Sequence, residues 1–128
     1  MSAFHDYLHE VFQGLGPIQI RPMFGGYGVF HQGLMFALIA DDSLYLKTSP
    51  ASRGLFEAEG LQPFVYTQGR RPIKMGYFQA PEAIYEDSDE ALYWGRLAYQ
   101  AALENTPARS NGRQRKTSVQ RDQVASRS

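Results

Sequence analysis

The chain contains no cysteine. Disulfides, thiolate chemistry and every cysteine-based metal site are excluded, and the absence fits a reducing compartment. Long hydrophobic runs are missing as well. The longest, Leu34–Ala40, is far too short to span a bilayer. The start, Met1-Ser2-Ala3-Phe4-His5-Asp6, carries neither a basic nor an apolar segment, so no secretory signal is read and a cytoplasmic location is expected. Net charge is also absent, since 13 Lys+Arg balance 13 Asp+Glu. No internal repeat is visible.

That balance conceals two unlike parts. Residues 1–104 carry 7 Lys+Arg and 12 Asp+Glu, a net −5, and residues 105–128 carry 6 Arg+Lys and 1 Asp, a net +5. The second part has only Val119 and Val124 as sizeable apolar groups and cannot bury enough surface to offset its ordering entropy. A body over 1–104 and a disordered basic tail over 105–128 are expected. The body is one domain, and 8 Phe, 8 Tyr and 1 Trp in the chain supply large core groups.

The order of elements follows from periodicity. Phe4, Tyr7, Leu8, Val11, Phe12 and Leu15 make one helical stripe after Ser2 as cap, and Gly14, Gly16 and Pro17 stop it. Strands are read at 18–23, 27–31, 34–40 and 44–47, with turns at Gln32-Gly33 and Asp41-Asp42. Ser49-Pro50 opens a short helix whose face is Ala51, Leu55 and Ala58, ended by Gly60. Strands at 64–67 and 74–78 flank a loop at 68–72. Asp87 with Glu90 resembles a capping box before a last helix that runs to Glu104. The expected fold is α+β: a two-layer sandwich of mostly antiparallel sheet with helices on one face.

One segment needs a special explanation. Met23-Phe24-Gly25-Gly26-Tyr27-Gly28 places three glycines within four residues, between apolar runs. A sharp reversal with positive φ, or a close approach by another segment, accounts for them. This segment, together with Arg21 and Pro22, resembles the TfoX N-terminal domain family. Phe4 to Phe12, Gly33-Leu34-Met35-Phe36-Ala37, Leu44-Tyr45-Leu46-Lys47, Phe64 to Tyr66, Met75 to Pro81 and the helix of Trp94 extend the resemblance over residues 2–104 in the family's order. The resemblance implies a fold similar to that of type III secretion chaperones, and a role in regulating natural competence, the province of the TfoX or Sxy regulators. Those longer proteins add a second helical domain where this chain has its basic tail. The resemblance supplies no catalytic residues.

Motifs for chemistry are sparse. His5-Asp6-Tyr7-Leu8-His9 imitates a zinc-binding helix, with Asp where Glu belongs and no third ligand in sequence. The two histidines are read as flanking the apolar stripe. The glycine segment fits no phosphate-loop pattern, and a strand follows where a helix should. Arg21 could grip a carboxylate or phosphate, or tie its strand to Asp6, Glu10 or a backbone carbonyl. Glu82, Glu86, Asp87, Asp89 and Glu90 crowd one segment, which helix-start electrostatics and a solvated face explain. Arg70, Arg71 and Lys74 cluster near Tyr66 and Tyr77, and with the tail they offer weak nucleic-acid contact.

The reading is a non-enzymatic binding domain without cofactor or metal. Its candidate interaction residues are Arg21, Gly25, Gly26, Tyr27, Arg70, Arg71 and Lys74. Protein partners are expected, a second copy of the chain among them, and no membrane. A stand-alone interaction module unrelated to DNA uptake is the alternative. A small enzyme is the third reading, and no constellation of residues speaks for it.

Overall fold

A computed structural model describes residues 3–23, 25–68 and 71–104. In chain order the elements are helix α1 (Ala3–Val11), strands β1 (Gln19–Met23), β2 (Gly26–His31), β3 (Leu34–Ala40) and β4 (Ser43–Lys47), helix α2 (Pro50–Ala58), strands β5 (Pro63–Gln68) and β6 (Arg71–Gln79), a 3-10 helix (Glu82–Tyr85) and helix α3 (Ser88–Glu104). The strands form one antiparallel sheet in the order β1-β2-β3-β4-β6-β5. This is the α+β class read from the sequence. Residues 105–128 and Ser2 lie outside the described residues.

Two tight turns organise the sheet. Gln32 and Gly33 have φ of 49° and 82°, and Asp41 and Asp42 have 51° and 59°. Positive φ at both central residues gives the turn twist that matches right-handed strands. Two-residue turns of this kind join adjacent antiparallel strands, and β2, β3 and β4 pair as a meander.

The helices differ from expectation in three places. α1 ends at Val11, and Phe12 is carried in the turns that follow, yet it is 1% exposed. Tyr7, read as part of the apolar stripe, is exposed, and its hydroxyl donates to the carbonyl of Tyr85. The buried face of α2 is Ser52 and Phe56, while Ala51, Leu55 and Ala58 point outward. One aromatic ring outweighs three smaller groups when only one face can reach the core. Ser52 tolerates burial because it completes a capping box: the Ser49 N–H donates to Ser52 Oγ at 2.9 Å and the Ser52 N–H to Ser49 Oγ at 3.2 Å. At α3 only half of the expected box forms. Asp87 Oδ1 accepts from the N–H of Asp89 at 2.9 Å and of Glu90 at 3.4 Å. Glu90 instead accepts from the indole Nε1 of Trp94 at 3.1 Å. A half-buried indole N–H needs a partner, and Glu90 stands one helical turn away.

Register assigns the faces of the sheet. Val29 pairs with Ala37, Ala37 with Leu46, Ile39 with Leu44 and Leu46 with Phe78. All of these belong to one core cluster with Leu8, Phe12, Phe56, Trp94 and Ala98 from the helices. Phe12 meets Phe36 edge-on with centroids 5.2 Å apart, and Phe56 meets Trp94 at 4.9 Å. The helices therefore lie on one face. Leu38 and Tyr77 are also buried but stand outside that cluster. They occupy the intervening positions of their strands and so belong to the opposite face.

Candidate functional site

The glycine segment shapes that opposite face, and each glycine there answers a different need. Gly25 turns the chain with φ of 76°, and a side chain there would meet nothing within 4 Å. At Gly26 an added Cβ would lie 2.1 Å from the carbonyl oxygen of Ile39. At Gly28 it would lie 2.5 Å from Met23 Sδ, 2.9 Å from Phe30 Cε1 and 3.1 Å from Met35 Sδ. Both explanations offered by the sequence hold, at different residues: positive φ at Gly25, close approach at Gly26. The approaching segment is the chain's own β3.

Met23, Phe30 and Met35 thus close over Gly28 on the helix-free side. Directly paired residues share a face, so Leu38 with Tyr45, Tyr45 with Gln79 and Lys47 with Tyr77 continue it across the sheet. The Phe64 ring lies 4.9 Å from that of Tyr45 and carries the layer to β5. The result is a layer of aromatic and thioether groups with no helix over it among the described residues: Met23, Phe30, Met35, Tyr45 and Phe64 are half-buried, and Leu38 and Tyr77 are buried beneath their neighbours.

Two cations frame it. The Arg21 guanidinium donates to Gln19 Oε1 at 2.7 Å and lies 4.7 Å from the centroid of Phe30. The Lys47 ammonium lies 4.8 Å from the centroid of Tyr77. Gln19 belongs to the same strand, so this bond orients the guanidinium rather than tying the strand to Asp6 or Glu10. Strand alternation turns Ile20 toward the helices and Arg21 away from them.

Burial marks three groups here and at the 3-10 helix. It holds the Lys47 ammonium below the ordinary lysine range. It pushes the Tyr77 phenol up to about 12. It also pushes Tyr85 up to about 12, with Glu82 and Tyr7 adding to the effect. Both phenols are neutral in the folded chain at pH values where an unfolded tyrosine ionises. Their contribution is fully present below about pH 10 and is lost as pH rises from about 10 toward 12. A spectrophotometric titration should show two tyrosines lagging the rest, and denaturant stability should fall across that window. Substituting both by Phe should remove the lag. A single transition for all tyrosines would contradict this.

The structure divides the residues singled out in the sequence. Arg21 and Gly26 belong to the helix-free side. Tyr27 does not: it is 38% exposed on the helix side, with its ring 4.4 Å from that of His5. His5 is half-buried in this contact, while His9 is exposed. Among the described residues no group of three or more His, Cys, Asp or Glu stands ready for a metal ion. Arg70 lies outside the described residues. Arg71 is in β6 rather than in the loop, paired in register with Gln68, and Lys74 lies in β6 opposite Val65. The hairpin runs longer than expected because β5 and β6 keep pairing beyond the end of β4. Pro72 fits there, where one side of β6 has no ladder to join. Tyr77 is not near that tip; it is 6% exposed under Lys47.

Two features were not legible in the sequence. His31 is buried, its Nδ1 donates to the Pro17 carbonyl at 2.7 Å, and its ring meets Tyr99 edge-on with centroids 5.0 Å apart. Only strand alternation hinted that it faces inward. A cleft of about 460 Å³ opens between α2 and the β5–β6 strands, where Arg53 and Glu57 stand across from Phe64 and Tyr77. It adjoins the helix-free face through those two rings.

A two-layer α+β domain with one side of its sheet free of helices among the described residues is the class these features define. Residues 10–102 match the family model of the TfoX N-terminal domain, and the chain belongs to that family. It is 28% identical over 106 residues to the DNA transformation protein TfoX1 of Aliivibrio fischeri, covering 83% of this chain and 49% of that protein. It is 24% identical over 101 residues to Protein Sxy of Escherichia coli K12, covering 79% of this chain and 48% of that protein. The chain spans about half the length of these curated relatives. No helix among the described residues is long and apolar enough to cross a membrane.

Proposed function

We propose that this chain is a non-enzymatic binding domain that acts in the cytoplasm on the regulation of natural competence, through protein partners and with a link to transcription. The observation that carries the reading is the family match over 10–102, joined to a relative named as a DNA transformation protein. The partly exposed apolar groups on the side of the sheet that carries no helix among the described residues support a binding role, since apolar surface rimmed by polar groups marks interaction sites and ligand grooves. Chemistry on a small molecule would need a nucleophile or acid–base pair, and the reading invokes none.

Deleting the gene in its own host should lower uptake of added DNA at least tenfold, with transcripts of the uptake genes falling alongside. A copy of the gene in trans should restore both. The coverage of about half of each relative favours one other reading, an interaction module with no part in DNA uptake. Unchanged transformation and unchanged transcripts would replace the first reading by the second.

A further inference from the structure

We propose that the helix-free side of the sheet docks an acidic segment of a partner protein, one that carries carboxylates beside apolar side chains. The inference rests on the binding role proposed above and names the partner's chemistry.

Charge makes the argument. The body has 12 acidic and 7 basic residues. Yet the positions that register assigns to this side in β1, β2, β3 and β4 contain no carboxylate, and their only charges are Arg21 and Lys47. Cations over rings at two sides of a Met- and aromatic-lined surface suit a ligand with apolar groups at its centre and carboxylates at its flanks. Thioethers adapt their shape to varied apolar side chains, which favours a peptide over a rigid ligand. A guanidinium already held by Gln19 and a ring is pre-oriented to meet a carboxylate.

The same charges disfavour the other occupants. A second copy packed face to face would set two cations of one copy against a surface without carboxylates on the other. The chain's own residues 105–128 bring 6 cations and 1 carboxylate, so they meet like charge. A single-stranded nucleic acid needs open ring faces and several cations. Here Arg21 lies over Phe30, Lys47 lies over Tyr77, and Tyr77 is 6% exposed.

The test uses the full chain, immobilised, to select from a displayed random-peptide library. Enrichment of sequences combining Asp or Glu with Leu, Phe or Met is expected. The most enriched sequence, made as a labelled peptide, should bind with an affinity that weakens as salt rises. Arg21→Glu with Lys47→Glu should weaken it at least tenfold without moving the melting temperature. Should that pair fail to fold, Arg21→Gln with Lys47→Gln should weaken it at least threefold. The peptide with its acids changed to Lys should regain affinity for the reversed or neutralised protein relative to the parent. Selection of basic sequences, or of none, would overturn the proposal. So would tighter binding of an oligothymidylate than of any selected peptide, or a dimer of the chain that the same charge reversals dissociate. Failure here with transformation still dependent on the gene would remove this surface and leave the competence role. Success here with transformation unchanged would do the reverse.

Discussion

Gly26→Ala is expected to be among the most damaging single substitutions in the body. The new Cβ would stand 2.1 Å from the Ile39 carbonyl oxygen, which belongs to a strand paired on both sides. Overpacking against movable side chains commonly costs about 1–3 kcal/mol. A backbone carbonyl in a sheet cannot rotate away, so the cost should exceed that range. The total stability of such a domain is about 5–15 kcal/mol, and much of it would be lost. Gly25→Ala is the matched control. It meets open space and suffers only its φ of 76°, for about 1–2 kcal/mol. Urea unfolding of the two variants should give a clearly lower midpoint for Gly26→Ala. Equal midpoints, or the reverse order, would refute close approach as the reason for this glycine.

Phe56→Ala should cost about 3–5 kcal/mol. The ring is fully buried and bears on Phe78, 5.8 Å between centroids, and on Trp94. It is the large side chain through which α2 joins the core, since Ser52, the other buried residue of α2, contributes little apolar area. Its loss should free α2 first, which amide exchange of residues 50–58 would show before global unfolding. Leu55→Ala, one residue away and 41% exposed, should stay within about 0.5 kcal/mol of the parent. Comparable losses at 55 and 56 would mean that the face of α2 is assigned wrongly.

Much of the chain could be read before any coordinate. The meander from β2 to β4 was legible because its turns carry Gly33, Asp41 and Asp42, residue types that accept positive φ, and because Leu34–Ala40 is continuously apolar. The cap at Ser49 was legible from Ser-Pro alone. The face of α2 was not, since Ala51, Leu55 and Ala58 keep helical spacing as well as Ser52 and Phe56 do. Periodicity ranks faces by residue count, whereas packing ranks them by the area a ring can bury. The partner of Glu90 was hidden for a related reason: a capping box is a local rule, and the indole of Trp94 competes for the same carboxylate.

The candidate site was legible residue by residue and not as a surface. Arg21 and the three glycines stood out by type, and Tyr27 stood beside them in the chain. Yet the register sends Tyr27 to the helices and Arg21 to the bare side. By itself, the sequence determined the α+β class, the order of elements, the reversal at Gly25 and the separation of an acidic body from a basic tail. These depend on local backbone preference, period and charge, all of which are properties of short segments. Only the tertiary structure decided that Met23, Phe30, Met35, Leu38 and Tyr45 lie together, with Arg21 and Lys47 as the charges beside them. That grouping depends on which strands pair and in what register. A shift of one residue would send every one of those side chains to the other face.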